Sequence, residues 1–155
     1  MQDIRRIIID SVARDIPLTE IFDGLGGAFR KIDFYKTVFL LIEAGDIPNI
    51  MVCWCGIDCT RCKTFRATID GDYETRVEVK KYYEEIGINI EIADLNCLGC
   101  RSDEMMYLCA GCPYMSCGKE RGVKRCGECG EYPCESLQWY TEKHIKPGVG
   151  TFIIP

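Results

Sequence analysis

The stretch CWCGIDCTRC, residues 53–62, begins the part of the chain that decides the fold. All twelve cysteines of the 155-residue chain lie between residues 53 and 134. A tight C-x2-C turn allows both thiolates to reach one metal ion at a distance of ~2.3 Å. The pattern therefore predicts a domain built around metal ions, since dense cysteines in a reducing compartment bind metal more often than they form disulfides. Four pairs have this spacing: Cys59/Cys62, Cys97/Cys100, Cys109/Cys112 and Cys126/Cys129.

A short internal repeat suggests how the later cysteines are shared. The run CAGCPYMSC, residues 109–117, recurs as CGECGEYPC, residues 126–134, with the same C-x2-C-x4-C spacing. The repeat suggests two similar knuckles that face each other. We therefore predict that Cys109 and Cys112 share an ion with Cys126 and Cys129. The group Cys55, Cys59 and Cys62 is then expected to pair with Cys97 and Cys100. Cys117 and Cys134, which end the repeats, are alternatives for completing either site.

Cys53 is the one cysteine left out of the predicted ligand set, because it stands just before the first knuckle, which begins at Cys55. Eleven thiolates remain, and all-sulfur sites suit zinc or iron–sulfur clusters. We expect two to three zinc ions, with an iron–sulfur cluster as the alternative. The spacing C-x3-C-x2-C at residues 55–62 also occurs in radical S-adenosylmethionine enzymes, but those enzymes need a barrel longer than this chain. The predicted ligands are Cys55, Cys59, Cys62, Cys97, Cys100, Cys109, Cys112, Cys117, Cys126, Cys129 and Cys134.

Residues 1–52 contain no cysteine and read as helical. Apolar residues recur at helical spacing from Ile4 to Ile16, where Pro17 interrupts them, and a short helix follows. A longer helix is expected from Ala28 to Ala44. This region is predicted to be either a helical docking annex, which we favour, or a winged-helix-like unit. Residues 53–155 form the predicted cysteine-rich metal-binding domain.

The second region is expected to contain short helices and little strand. Helices are predicted over residues 60–69 and 73–86, and a last one from Pro133 to His144. Alternating isoleucines predict a short strand at residues 88–92, and an apolar tail at 148–155 suggests an edge strand. The expected fold class is a small, α-rich, irregular metal-bound fold of cysteine knuckles and short helices, with an N-terminal helical annex.

The charge balance limits the partners. The net charge of −5 makes a general attraction to nucleic acid or to an anionic membrane unfavourable. No apolar run approaches the ~20 residues that span a bilayer, and no secretory signal is recognisable at the start. We therefore expect a cytoplasmic protein that does not bind membranes and whose partner is a protein. Nucleic acid is the less favoured partner.

Three motifs taken together resemble a known family. The run CGIDCTRC at 55–62, the run NCLGCRSD at 96–103 and the closing run EYPCESL at 131–137 are similar, in order and spacing, to the cysteine-rich domain-of-unknown-function family number 3795. The resemblance covers residues 53–145. It implies a small zinc-binding protein from bacteria or archaea, and it implies no specific activity.

Three functions follow from these observations. The first is a zinc-stabilised binding or regulatory module, in which closed tetrahedral sites supply folding energy. The second is a redox enzyme that uses iron–sulfur or a reactive thiolate; catalysis is less expected because the chain has a single histidine. The third is a nucleic-acid-binding regulator, supported by the basic run KERGVKR at residues 119–125.

Overall fold

The computed structural model describes residues 3–144, without the side chains of residues 140, 141, 143 and 144. Helices make up most of the regular structure, as predicted. Their bounds are α1 Ile4–Ala13, α2 Leu18–Gly24, α3 Lys31–Ala44, α4 Lys63–Asp70, α5 Tyr73–Glu85, α6 Tyr107–Ala110, α7 Pro113–Arg121 and α8 Glu135–His144. Short 3₁₀ turns lie at Cys59–Arg61, Ile92–Leu95 and Cys126–Glu128.

The helix ends follow local chemistry. The Asp3 carboxylate caps α1 by accepting a hydrogen bond from the Arg5 N–H, and Asp72 caps α5 through the Thr75 N–H. Helix α3 ends at Ala44, as predicted, and Gly45 with φ 77° is its C-cap. It begins at Lys31 and not at Ala28, because the glycine-rich break extends to Arg30.

The predicted strand at 88–92 is wrong. Among residues 3–144, the one β pairing is an isolated bridge between Val52 and Asp58. The Ile88 N–H bonds back to the carbonyl of Tyr83 as α5 ends, and the Ile90 carbonyl accepts from Lys80 Nζ at 2.9 Å. The alternation of isoleucines therefore reflects a turn that buries Ile90, and no neighbouring strand pairs with it. The tail predicted as an edge strand lies outside the described residues.

One main core joins the N-terminal helices to the cysteine-rich part. Phe34, Tyr35 and Val38 of α3 are fully buried in it together with Phe65 of α4. The Tyr35 hydroxyl donates to the carbonyl of Arg101 at 3.3 Å, and burial raises its pKa. The proposed domain boundary near residue 52 stays a prediction, but residues on both sides of it contribute to the same core.

Three buried cysteines belong to this main core: Cys53, Cys55 and Cys59. A smaller second core contains Val79, Ile90, Leu95, Cys97 and Met106. The thiols thus lie where the apolar residues of the cysteine-rich part are concentrated. Within the described part of the chain, none of the helices is long and apolar enough to cross a bilayer.

Candidate metal centre

A tight hairpin positions the first thiols. The chain turns at Gly56, and the bridge between Val52 and Asp58 is flanked by two backbone hydrogen bonds. The Cys53 N–H donates to the Ile57 carbonyl at 2.8 Å, and the Cys59 N–H donates to the Met51 carbonyl at 2.9 Å. This turn places Cys53 beside Cys59, and their Sγ atoms lie 3.3 Å apart.

A buried carboxylate fixes the conformation just before Cys59. Asp58 Oδ1 accepts hydrogen bonds from the Thr60 N–H at 3.0 Å, from the Thr60 hydroxyl at 2.7 Å and from Asn49 Nδ2 at 3.0 Å. Such a fully bonded buried carboxylate holds the 3₁₀ turn at Cys59–Arg61 in one geometry. The Cys59 thiol is therefore presented to the hairpin in a defined direction.

The third thiol comes from a distant segment. Cys100 Sγ lies 3.0 Å from Cys53 Sγ. The approach depends on Gly99, whose φ is 87° and where an added Cβ would lie 2.7 Å from the Cε of Met51 and 3.3 Å from Cys59 Sγ. Only glycine allows the second C-x2-C turn to lie this close to the hairpin.

These three thiols form a compact candidate site. The Sγ atoms of Cys53, Cys59 and Cys100 all lie within 4.8 Å of one another, and the residues are buried or half-buried. Four thiolates around one zinc ion, each at ~2.3 Å, would have neighbouring sulfurs ~3.8 Å apart. The size of the group and its all-sulfur chemistry both fit a thiophilic metal ion.

More thiols adjoin the trio. Cys55 interacts with Cys53, and Cys109 interacts with Cys100 through their side chains. Cys97 lies close enough to Cys62 and Cys109 for their charges to interact. The inner group therefore extends beyond one set of four ligands.

Hydrogen bonds between the thiols of the inner group raise the pKa of some of them and lower the pKa of others. The hydrogen bond from Cys100 holds the pKa of Cys59 well below its ordinary value and also lowers the pKa of Cys109. Cys53 behaves in the opposite way, because donating a hydrogen bond to Cys100 raises its pKa. A lowered pKa favours the thiolate, which is the form that binds metal.

The last cysteines form an outer group that adjoins the inner group at Cys126, which lies close enough to Cys55 and Cys112 for their charges to interact. Cys117, Cys126, Cys129 and Cys134 line a small cavity of about 170 Å³ between α7 and α8. Arg121 Nη1 lies 3.4 Å from Cys129 Sγ and donates to it. Burial raises the pKa of Cys126 to about 11. The sharing of an ion by Cys109 and Cys112 with Cys126 and Cys129, which the repeat predicts, stays a prediction.

Cys53 is the residue that sequence reasoning left out. Its exclusion rested on its place before the first knuckle, whereas the turn at Gly56 folds the chain back and brings Cys53 to Cys59 and Cys100. The sequence did contain a signal, because a glycine midway between two cysteines is typical of a turn. The eleven other cysteines stay predicted ligands. Of these, the structure brings Cys59 and Cys100 into the compact site, with Cys55 and Cys109 beside them.

Comparison with known proteins identifies a family. The family described as "Protein of unknown function (DUF3795)" matches residues 51–139. The matched segment begins just before Cys53 and includes every cysteine of the chain. No curated protein and no solved structure matches the chain.

Proposed function

The chain belongs to the DUF3795 family, and from that premise we propose that it is a zinc-stabilised binding or regulatory module. The single observation that carries the proposal is the compact trio Cys53, Cys59 and Cys100, of which the first two are buried and the third is half-buried. Thiols drawn from distant segments into the interior are suited to a closed structural site, in which the free energy of metal binding is also free energy of folding.

The composition of the sites favours zinc. All nearby donors are sulfur, and twelve cysteines allow up to three sites of four thiolates. We propose two or three ions, one or two in the inner group and one in the outer group.

A tetrathiolate zinc centre carries a net negative charge, and the half-buried guanidinium of Arg101 faces the inner group. Burial lowers the pKa of Arg101, while the negative charges of the Cys53, Cys100 and Cys59 thiolates act in the opposite direction and raise it.

A protein partner is the second part of the proposal. Large apolar side chains are exposed on the cysteine-rich part, where a soluble domain would otherwise bury them. Those on or beside α6 and α8 are Tyr107, Leu108, Tyr132 and Trp139, while Tyr73 and Ile86 are exposed at α5. Tyr132 lines the cavity of the outer group and Trp139 belongs to α8, which bounds that cavity, so we place the binding surface there.

Two observations bear on the alternative functions. The second candidate is a redox centre. A thiol left over beside a four-thiolate site would support thiolate-based chemistry, and the all-sulfur donor set also fits an iron–sulfur cluster. Nucleic-acid binding has less support, because the cations of the basic run 119–125 are largely engaged. Arg121 pairs with Glu131, Lys124 with Asp15 and Arg125 with Glu128.

The test is metal analysis of protein purified without oxygen. We expect colourless protein with two to three zinc per chain. Replacement by Co²⁺ should produce the absorption bands of a tetrahedral thiolate site. Removal of the metal by a strong chelator, with reductant present, should markedly lower the midpoint of cooperative thermal unfolding. A brown protein with stoichiometric iron and sulfide would replace the zinc assignment by the iron–sulfur alternative. Unchanged unfolding after verified metal removal would exclude a structural role.

A further inference from the structure

A large cavity lies beside the thiol group. Its volume is about 660 Å³, within the range of pockets that bind small molecules. One wall is apolar and comes from the connection between α1 and α2, with Ile16, Pro17 and Leu18, and from Ile50. The opposite wall is formed by Trp54, Arg101 and the end of α7 with the loop that follows it.

The second wall is unusually cationic for a chain of net charge −5. Four cations line the cavity against two carboxylates: Arg101, Lys119, Lys124 and Arg125 against Asp15 and Glu128. A local excess of positive charge inside a concave, partly desolvated site attracts anions. The excess of cations at this wall runs against the net negative charge of the whole chain, so the overall composition does not explain it.

Trp54 holds the cationic wall in place. Its indole Nε1–H donates to the Val123 carbonyl at 3.0 Å. The Arg101 guanidinium lies over the ring, 3.7 Å from the centroid, and its Nε donates to the Val52 carbonyl at 3.0 Å. Lys119 Nζ lies 5.5 Å from the same ring centroid. Among the residues that the structure describes, Lys119 has no carboxylate partner.

Asp15 closes the opposite side of the cavity. It is the one non-glycine residue with positive φ, 60°, within residues 3–144, and both of its carboxylate oxygens lie 2.6 Å from Lys124 Nζ. This ion pair is largely exposed, so its net contribution to stability is small. A carboxylate of the chain itself thus occupies one anion position in the cavity and is easily displaced.

We propose that this cavity binds a small organic anion, with its charged group held by Lys119 and Lys124 and its apolar part against Ile16, Pro17 and Ile50. The charged group displaces the Asp15 carboxylate from Lys124. This role goes beyond the proposed metal-binding module and does not depend on which metal the thiols hold.

Trp54 provides a direct readout. The chain has two tryptophans, so a Trp139→Phe background leaves Trp54 as the sole tryptophan, and excitation at the red edge of tryptophan absorption avoids emission from the eight tyrosines. The full-length, metal-loaded protein is titrated with phenyl phosphate, with the neutral benzyl alcohol and inorganic phosphate as comparison probes. We expect a saturable change in Trp54 emission with phenyl phosphate and much weaker binding of the other two.

Three variants in that background locate the anion. Lys119→Gln should weaken phenyl phosphate binding about tenfold, as expected for the loss of one charged hydrogen bond. Asp15→Asn should tighten binding, because Lys124 is released. Lys36→Gln is the matched control: Lys36 pairs with Asp70 at 3.0 Å on another surface, and binding should not change.

Several results would overturn the proposal. These are no saturable change in emission, equal affinity for benzyl alcohol or for inorganic phosphate, and equal affinity in the Lys119→Gln and Lys36→Gln variants. Thermal melting of each variant shows that it is folded before binding is measured.

Discussion

The Sγ atoms of Cys53 and Cys100 lie 3.0 Å apart, although 47 positions separate the two residues in the chain. A metal ion shared across this contact would close a long loop. Closing a long loop removes conformational entropy from the unfolded chain and so stabilises the fold. The contact also lies against the main core, because Cys53 packs with the apolar residues of the N-terminal helices.

Replacing Cys53 by serine should remove about one equivalent of metal and lower the melting temperature markedly. The loss of affinity should exceed the roughly 10–100-fold that follows from losing a group that only supports a ligand. The comparator is Cys117→Ser, since Cys117 is exposed in the outer group. It should also release metal but lower the melting temperature less. Metal analysis and calorimetry measure both effects, and full metal content in Cys53→Ser would return Cys53 to the spectator role that the sequence predicted.

The pH dependence of stability should have opposite signs with and without metal. Metal-loaded protein should lose its ions as the pH falls, because protons compete for the thiolates. In metal-free protein, burial raises the pKa of Cys97 to about 12, from an ordinary value of 9.0. The unfolded chain then releases this proton at a lower pH than the folded chain does, so stability should fall as the pH rises from about 9 towards 12.

The prediction for metal-free protein is checked by measuring its free energy of unfolding with denaturant titrations across the same pH range, with reductant present. Cys97→Ser should flatten the decline, because serine does not titrate there. A metal-free protein whose stability rises over the same window would contradict the burial of a neutral Cys97.

Gly118→Ala should destabilise the protein by about 1–3 kcal/mol, the usual cost of overpacking. Gly118 lies within α7, where alanine would ordinarily be the better helix former. Here an added Cβ would lie 2.0 Å from Cδ1 of Trp54. Gly24→Ala at the end of α2 is the matched control, because nothing lies within 4 Å of its added Cβ. Urea denaturation should show opposite signs for the two variants, and equal effects would mean that Trp54 is not packed against α7.

Phe34→Ala should cost about 3–5 kcal/mol and also speed the release of metal to a chelator. The Phe34 ring lies 5.3 Å from Phe22 and 5.1 Å from Tyr35, centroid to centroid, and Tyr35 in turn bonds to the residue after Cys100. Leu40→Ala, on the exposed side of the same helix, should change stability by less than about 0.5 kcal/mol. If Phe34→Ala leaves the rate of metal release unchanged, the N-terminal helices are an annex that does not support the metal centre.

The helices and the family could be predicted from the sequence because their signals are local. Helical spacing from Ile4 to Ile16 and the expected end of a longer helix at Ala44 both depend on residues a few positions apart. The C-x2-C spacings are equally local, and so they indicated metal binding and the family without any knowledge of the tertiary contacts.

The tertiary structure alone decided which thiols meet. Cys53 joins Cys59 because the chain turns at Gly56, and it joins Cys100 because Gly99 leaves room for the close approach. The isoleucines at 88–92 have the period of a strand, but a strand also needs a partner, and Ile90 is buried by the turn after α5 instead. Spacing along the chain specifies which residues can form a knuckle. Only packing of the shared core determines which knuckles share a site, because that choice depends on contacts between residues distant in sequence.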